Sequence, residues 1–124
     1  MYRCALVLLA ALASTLPAHA QRVFQSTALR GELVVTQPPE ALLNGKPARL
    51  APGVRIRNPS NMVQVSGSLL GQKLAVNYTL DAAGELRDVW ILSHAELANK
   101  PWPATPQQAR TWIFDAAMQR WSMP

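Results

Sequence analysis

Arg55 and Arg57 are the residues of this chain best suited to bind a ligand. They stand in the segment Val54-Arg55-Ile56-Arg57, which alternates apolar and basic residues as a half-buried β-strand does. The alternation directs Val54 and Ile56 into the core and leaves both arginines side by side on the outer face. Arginine binds carboxylates and phosphates through its forked donors, yet exposed charges also commonly protect an edge strand. Edge protection is the favoured interpretation, and anion binding is the weaker alternative.

His94 is the one histidine outside the first twenty residues and therefore the candidate for a general base, because histidine titrates near neutral pH. Ser93 and Glu96 lie beside it, but both are accounted for as a helix capping box with Ser93 as the N-cap. No G-x-S-x-G nucleophile elbow occurs in the chain. The sequence therefore predicts no catalytic residue, and we expect the protein not to be an enzyme.

Metal and cofactor sites are not expected either. The chain has one cysteine and two histidines, and Cys4 and His19 both lie in the N-terminal segment, so too few ligands remain for zinc. Asp81, Glu85 and Asp88 surround a turn but lack the spacing of a calcium loop. No phosphate-binding glycine loop is present. The sequence thus predicts neither a metal nor a cofactor.

Residues 1–20 have the three parts of a secretory signal. Residues 1–3 are a short basic start, residues 4–16 are an apolar run, and residues 17–20 (PAHA) form a cleavage site before Gln21. We expect cleavage near Ala20-Gln21 and a periplasmic or secreted protein. No later apolar run is long enough to cross a bilayer, so we expect no transmembrane segment in the mature chain.

Basic residues outnumber acidic ones along the whole chain. There are 12 Lys and Arg against 7 Asp and Glu, for a formal net charge of +5. Removal of Arg3 with the leader would lower that excess by one. The remaining basic residues are scattered without a run or an aromatic-basic motif, so a nucleic-acid partner is not expected.

Turn signals divide the mature chain into short apolar segments. Residues 21–30 lack a clear period and are expected to form a flexible arm, and residues 31–124 a single domain. This domain is predicted to be α+β and predominantly β, a small antiparallel barrel or sandwich of about five to six short strands followed by a C-terminal α-helix. Asn44-Gly45 predicts a hairpin and Pro52-Gly53 a type II turn. The predicted core residues are Val54, Ile56, Val63, Val65, Leu74, Val76, Tyr78, Val89 and Ile91, with Asn77 on the outer face.

The predicted C-terminal helix covers residues 106–121. Thr105 is its expected N-cap and Pro106 its first residue. Helical periodicity gives this segment two apolar stripes, whereas a surface helix needs one. Trp112 and Ile113 are expected to cover the sheet. The second stripe is a hypothetical surface for a protein partner or a homodimer, unless the sheet or the N-terminal arm shields it, and it consists of Phe114, Met118 and Trp121.

Three segments carry a resemblance to known proteins. They are residues 43–56 (LNGKPARLAPGVRI), residues 76–78 (VNY) and residues 89–92 (VWIL). Together the chain resembles small exported proteobacterial proteins of uncharacterised function, over most of residues 31–92. The resemblance implies a bacterial, periplasmic setting and brings no activity, cofactor or site residue.

These observations favour an exported, non-enzymatic module that interacts with a protein partner or with the cell envelope. The alternative is a small anionic-ligand-binding protein or hydrolase that uses Arg55, Arg57 and His94. A third hypothesis is a purely structural stabiliser of the envelope.

Overall fold

The structure, a computed structural model, describes residues 22–124. The expected leader over residues 1–20 lies outside the described residues. In the described part, the strands are β1 Leu29–Val35, β2 Glu40–Leu43, β3 Lys46–Arg57, β4 Val63–Gln64, β5 Leu74–Leu80, β6 Leu86–Ile91, β7 Ile113–Asp115 and β8 Arg120–Ser122. The helices are α1 His94–Ala98, α2 Pro106–Thr111 and a 3₁₀ turn over Ser66–Leu69.

Five strands close into a barrel. β1 pairs with β2 and β2 with β3 as an antiparallel meander, and β5 pairs with both β1 and β6 in the same way. The barrel closes where β3 runs parallel to β6. The predicted β-rich small barrel is confirmed, but the prediction that it is antiparallel throughout is wrong for this one pair.

The two predicted turns have different outcomes. Asn44 and Gly45 connect β2 to β3 with φ angles of 54° and 77°, as expected for a hairpin turn that needs left-handed residues. Pro52-Gly53 does not separate two strands. It bends one long strand, with Gly53 at a φ of 77°, so that the first half of β3 pairs with β2 and the second half with β4 and β6. The positive φ of Gly53 agrees with the predicted turn, but the turn lies within one strand and does not separate two.

The barrel interior is the main core. Its buried residues are Leu29, Leu33, Val35, Ala41, Leu50, Ile56, Leu69, Leu74, Val76, Tyr78, Leu86 and Val89. Val54 and Ile91 pack against it and are half-buried. The predictions for Val63 and Val65 are wrong, since these side chains are 67% and 73% exposed. β4 has only two residues and pairs with β3 alone, so it lies at the rim, where nothing in residues 22–124 covers it.

A second core covers the outer face of the barrel, and we call it the outer core. Its buried residues are Phe24, Ala28, Trp90, Leu92, Trp102 and Trp121. Phe24 and Ala28 belong to the segment predicted as a flexible arm, and their burial corrects that prediction for residues 22–30. Asn77 was predicted to face outward, and it does point away from the barrel interior. It is nevertheless 0% exposed, because the outer layer covers it.

The predicted helix over residues 106–121 is confirmed only at its start. Thr105 caps α2 by accepting a hydrogen bond from the Gln108 backbone, but α2 ends at Thr111 and Trp112 is extended. β7 and β8 then form a hairpin that places Phe114 opposite Trp121. The two rings stack with centroids 4.7 Å apart. Burial of aromatic rings against the barrel outweighs a weak helical preference in this segment, and Ile113, predicted to cover the sheet, is instead exposed.

Gly31 in β1 lies close to the side chains of Asn44 in the β2–β3 turn and of Tyr78 in β5. A Cβ atom at this position would lie 2.9 Å from Asn44 Oδ1 and 3.2 Å from Tyr78 Cε1. We expect Gly31→Ala to lower the free energy of unfolding by about 1–3 kcal/mol through overpacking. Denaturant unfolding followed by circular dichroism measures this change. Gly67→Ala, where a Cβ meets no atom within 4 Å, is the control, and an equal effect of both substitutions would contradict the expectation.

Candidate functional site

Arg55 and Arg57 lie on the outer face of β3, and the Ile56 side chain between them is fully buried. This arrangement confirms the alternation predicted for the strand. The parallel register places Arg55 opposite Asp88 and Arg57 opposite Trp90 of β6. Alternate residues on one strand face are about 7 Å apart, so the two arginines start from neighbouring positions in one row.

Both arginines line a cleft of about 620 Å³, which we call the arginine cleft. Arg87 of β6 lines the same cleft, so three guanidinium groups border one cavity. Four ion pairs occur among residues 22–124, and none of them involves Arg55 or Arg57. These two side chains can therefore receive an anion without giving up an ion pair seen in that part of the chain.

Two acidic residues, Asp81 and Asp88, also line the arginine cleft. Asp81 Oδ1 accepts hydrogen bonds from two backbone N–H groups of the β5–β6 turn, each at 2.9 Å. Asp88 accepts a hydrogen bond from Thr79 Oγ1 at 3.2 Å and lies 3.9 Å from Arg87 Nε. Both carboxylates are thus held by neighbouring groups, and three arginines leave an excess of positive charge around the cleft.

Sequence reasoning does not identify Arg87 as a site residue. It follows the β5–β6 turn, and in the sequence it is one of several isolated arginines. Arg87 reaches the same cleft as Arg55 only because β6 lies parallel to β3, a pairing between distant segments. The adjacent Asp88 gives no signal of a site, because turns and exposed strand ends commonly carry acidic residues.

A second cleft of about 610 Å³ adjoins the arginine cleft, and we call it the helix cleft. It lies between the barrel and α2, which contributes Arg110 to its wall. Gln25, Arg87 and Asp88 line both clefts. Sequence reasoning misses this cleft as well, because it assigns residues 21–30 to a flexible arm.

Arg30 contacts both the barrel and the outer core, and its role is structural. Its Nε donates to Asn77 Oδ1 at 3.1 Å and its Nη1 donates to the Asn99 carbonyl at 2.6 Å. Its guanidinium carbon lies 5.0 Å from the centre of the Trp102 ring, within the range of a cation–π contact. Burial lowers the pKa of Arg30, while the charge of Glu96 acts to raise it. Arg30 therefore connects the barrel to the layer that covers it.

The residues predicted to form a partner surface do not share one helix face. Trp121 is 5% exposed and belongs to the outer core. Phe114 is half-buried against it, and Met118 in the β7–β8 turn is exposed. The geometry predicted for this surface is corrected accordingly, because the hairpin directs the two aromatic rings toward the barrel.

The structure does not bring His94 to the two arginines. His94 is exposed at the first position of α1, and it lines neither the arginine cleft nor the helix cleft. The predicted capping box is confirmed: Ser93 Oγ accepts from the Glu96 backbone at 3.3 Å and Glu96 Oε1 accepts from the Ser93 backbone at 3.0 Å.

Two general features of residues 22–124 bear on the site. In this part of the chain, no group of three or more His, Cys, Asp or Glu side chains is placed to hold a metal ion. Over the same residues, no helix has both the length and the apolar character needed to cross a bilayer.

Comparisons with known protein families, with curated proteins and with solved structures found no match to this chain. The class of fold follows from the strand connectivity. With β4 set aside, the sheet is a small closed barrel of five strands in the order β1-β2-β3-β6-β5. Barrels of this kind carry many unrelated functions, so function has to be argued from the site.

Proposed function

We propose that this protein is an exported, non-enzymatic binding module whose ligand is anionic and occupies the arginine cleft. The observation that carries the proposal is the position of Arg55 and Arg57 beside Arg87 at one cavity, with no ion pair to either β3 arginine among residues 22–124. Export is supported by the leader pattern of residues 1–20.

The chemistry of the cleft suits carboxylate or phosphate groups. A guanidinium offers two parallel N–H donors to such a group, and charge-assisted hydrogen bonds are stronger than neutral ones. Arg55 and Arg57 come from β3 and Arg87 comes from β6, two neighbouring barrel strands. Because their backbones are fixed by the barrel, less conformational entropy is lost when an anion orders their side chains than if they stood on a loop.

A second candidate function is the one expected from the sequence, in which the C-terminal end binds a protein partner or a second copy of the chain. The observation that favours it is the exposure of Ile113, Met118 and Met123, all of which are more than half exposed. Light scattering of the purified protein distinguishes the two candidates, because a homodimer formed through these residues has twice the molar mass of the monomer. Met118→Ser is expected to lower that molar mass again.

The arginine cleft makes a quantitative prediction. The double substitution Arg55→Ser/Arg57→Ser is expected to weaken binding of tripolyphosphate, a compact anionic probe, by about tenfold or more, since a hydrogen bond to a charged group contributes about 1.5–3 kcal/mol. Titration calorimetry at low salt measures the dissociation constant.

The matched control is Lys100→Ser/Arg120→Ser, which removes the same charge from two exposed residues outside the arginine cleft. Equal weakening by both double variants would show that net charge alone attracts the probe. Absence of tripolyphosphate binding to the unaltered protein would reject the proposed function.

A further inference from the structure

The arginine cleft and the helix cleft adjoin each other, and we call the two together the trough. Three residues, Gln25, Arg87 and Asp88, line both cavities, so there is a shared boundary where the two meet. Arg57 on β3 lines only the arginine cleft, and Arg110 on α2 lines only the helix cleft.

Positive charge recurs along the trough instead of gathering at one point. Arg55 and Arg57 line the arginine cleft, and Arg110 lines the helix cleft. Arg87 lines both clefts, at their shared boundary. The only carboxylates among the lining residues are those of Asp81 and Asp88, which are held by the β5–β6 turn and by Thr79. A compact anion would use one part of this series, whereas a chain with repeated charges would use all of it.

Uncharged polar groups stand near the shared boundary of the trough. Gln25, Ser26 and Thr27 line the helix cleft, and they are exposed at the edge of the outer core. Their amide and hydroxyl groups can donate and accept hydrogen bonds. This combination fits a polymer in which hydroxyl-bearing units separate the acidic groups.

Exposed aromatic rings on which nucleobases could stack are missing from the surface that the structure describes. Trp90 lines the arginine cleft but is buried, and no aromatic side chain of residues 22–124 is fully exposed. Proteins that bind single-stranded nucleic acid stack successive bases on exposed aromatic rings. The trough therefore has the charge that such a ligand needs but not the stacking surface.

We infer that the trough binds a linear acidic polysaccharide, with carboxylate-bearing sugar units along the arginine series and hydroxyl groups against the polar residues near its boundary. This inference rests on the proposed function. It adds the chemical class of the ligand and the path that the ligand follows, from Arg57 to Arg110. Affinity should consequently increase with the length of the oligosaccharide until the trough is filled.

The test compares galacturonate oligomers of two lengths, a disaccharide and an octasaccharide, with a single-stranded oligonucleotide of similar length. Protein purified after expression of the whole chain is titrated by calorimetry. We expect the octasaccharide to bind about tenfold more tightly than the disaccharide or better, because a second contact on the same chain forms at high effective concentration.

Variants at the two ends of the trough then assign the direction. Arg110→Ser should lower the ratio of octasaccharide to disaccharide affinity, because it removes a contact that only a longer oligomer reaches together with the β3 arginines, whereas Arg57→Ser should weaken both oligomers. Arg120→Ser, an exposed arginine that lines neither cleft, is the matched control. Circular dichroism of each variant checks that the fold is retained.

Each result decides between defined outcomes. If both lengths bind with equal affinity and disaccharide binding still depends on Arg57, the inference that one ligand extends over both clefts is wrong. The proposed function remains intact in that case. If the oligonucleotide binds more tightly than the octasaccharide, the inference that the ligand is a polysaccharide is wrong. If tripolyphosphate binds at the arginine cleft and neither galacturonate oligomer does, the ligand class is wrong although the anion site is real.

Discussion

Replacement of Glu96 by glutamine is expected to lower the free energy of unfolding by about 3–5 kcal/mol, the usual cost of breaking a buried ion pair. The Arg22 and Glu96 side chains are only 10% and 12% exposed, and Arg22 Nε donates to Glu96 Oε2 at 2.9 Å. Arg22 also donates to the carbonyls of Asn58 and Ile91. The pair thereby fastens the start of the described chain to the barrel and to α1.

The amide oxygen of glutamine can still accept the capping hydrogen bond from the Ser93 backbone, but its NH2 group then takes the place of Oε2 and cannot accept from Arg22 Nε. The large loss therefore arises from leaving the Arg22 guanidinium buried without a counter-charge and without this acceptor. Chemical unfolding at neutral pH measures the effect. The matched control is Glu32→Gln, at an exposed position of β1, which should change stability by no more than about 0.5 kcal/mol.

The same pair makes stability depend on pH. Burial acts to raise the pKa of Glu96, but hydrogen bonds from Arg22 and Ser93, together with the charge of Arg22, outweigh it and hold this pKa below its ordinary value. A carboxylate with a lowered pKa contributes its stability in full above the pKa of the unfolded chain, about 4.3 for Glu. That contribution disappears as the pH falls through the folded-state value. The gap between the unaltered protein and Glu96→Gln should accordingly narrow in acid. A gap that stayed constant from neutral pH into acid would contradict this account.

Replacement of Trp102 by alanine is expected to cost about 3–5 kcal/mol, as for other buried large-to-small substitutions. Its ring makes edge contacts with Phe24, Phe114 and Trp121 at centroid distances of 5.7, 5.9 and 6.1 Å. Its Nε1 donates to the Ala28 carbonyl at 2.9 Å. Trp102 is thus the residue through which the N-terminal segment and the C-terminal hairpin pack together.

A loss of this size is a large share of the total for a domain of about 100 residues, since folded domains are stable by only about 5–15 kcal/mol. Trp102→Phe provides a second variant that keeps most of the ring contacts and loses the hydrogen bond, so its expected cost is smaller. Denaturant unfolding gives both values, and near-ultraviolet circular dichroism reports the order of the remaining rings. An unchanged unfolding midpoint in Trp102→Ala would mean that the outer core does not stabilise the barrel.

Local signals in the sequence were sufficient wherever the structure depends on residues a few positions apart. The Asn44-Gly45 hairpin, the capping box of Ser93 and Glu96, and the start of α2 at Pro106 are all confirmed. Their conformations follow from backbone freedom and from short-range hydrogen bonds. The inward and outward faces of β3 were predicted for the same reason, since alternation is a property of the strand itself.

Elements that depend on distant contacts were not predicted. Residues 113–122 have the spacing of an amphipathic helix, yet they form a hairpin because Phe114 and Trp121 are buried together against the outer core. The segment over residues 22–30 has no period of its own, yet Arg22 pairs with a residue 74 positions away. Periodicity records which residues are apolar, but it does not record which surface will cover them.

The sequence alone determined a β-rich domain and two arginines projecting from one strand. Only the tertiary structure placed Arg87 beside them, through the parallel pairing of β3 and β6, and placed next to them the helix cleft that Arg110 of α2 lines. The physical reason is the range of the interactions involved. Turn and strand preferences act within a few residues, whereas a binding surface is assembled from segments that meet only after the barrel has closed and its outer face has been covered.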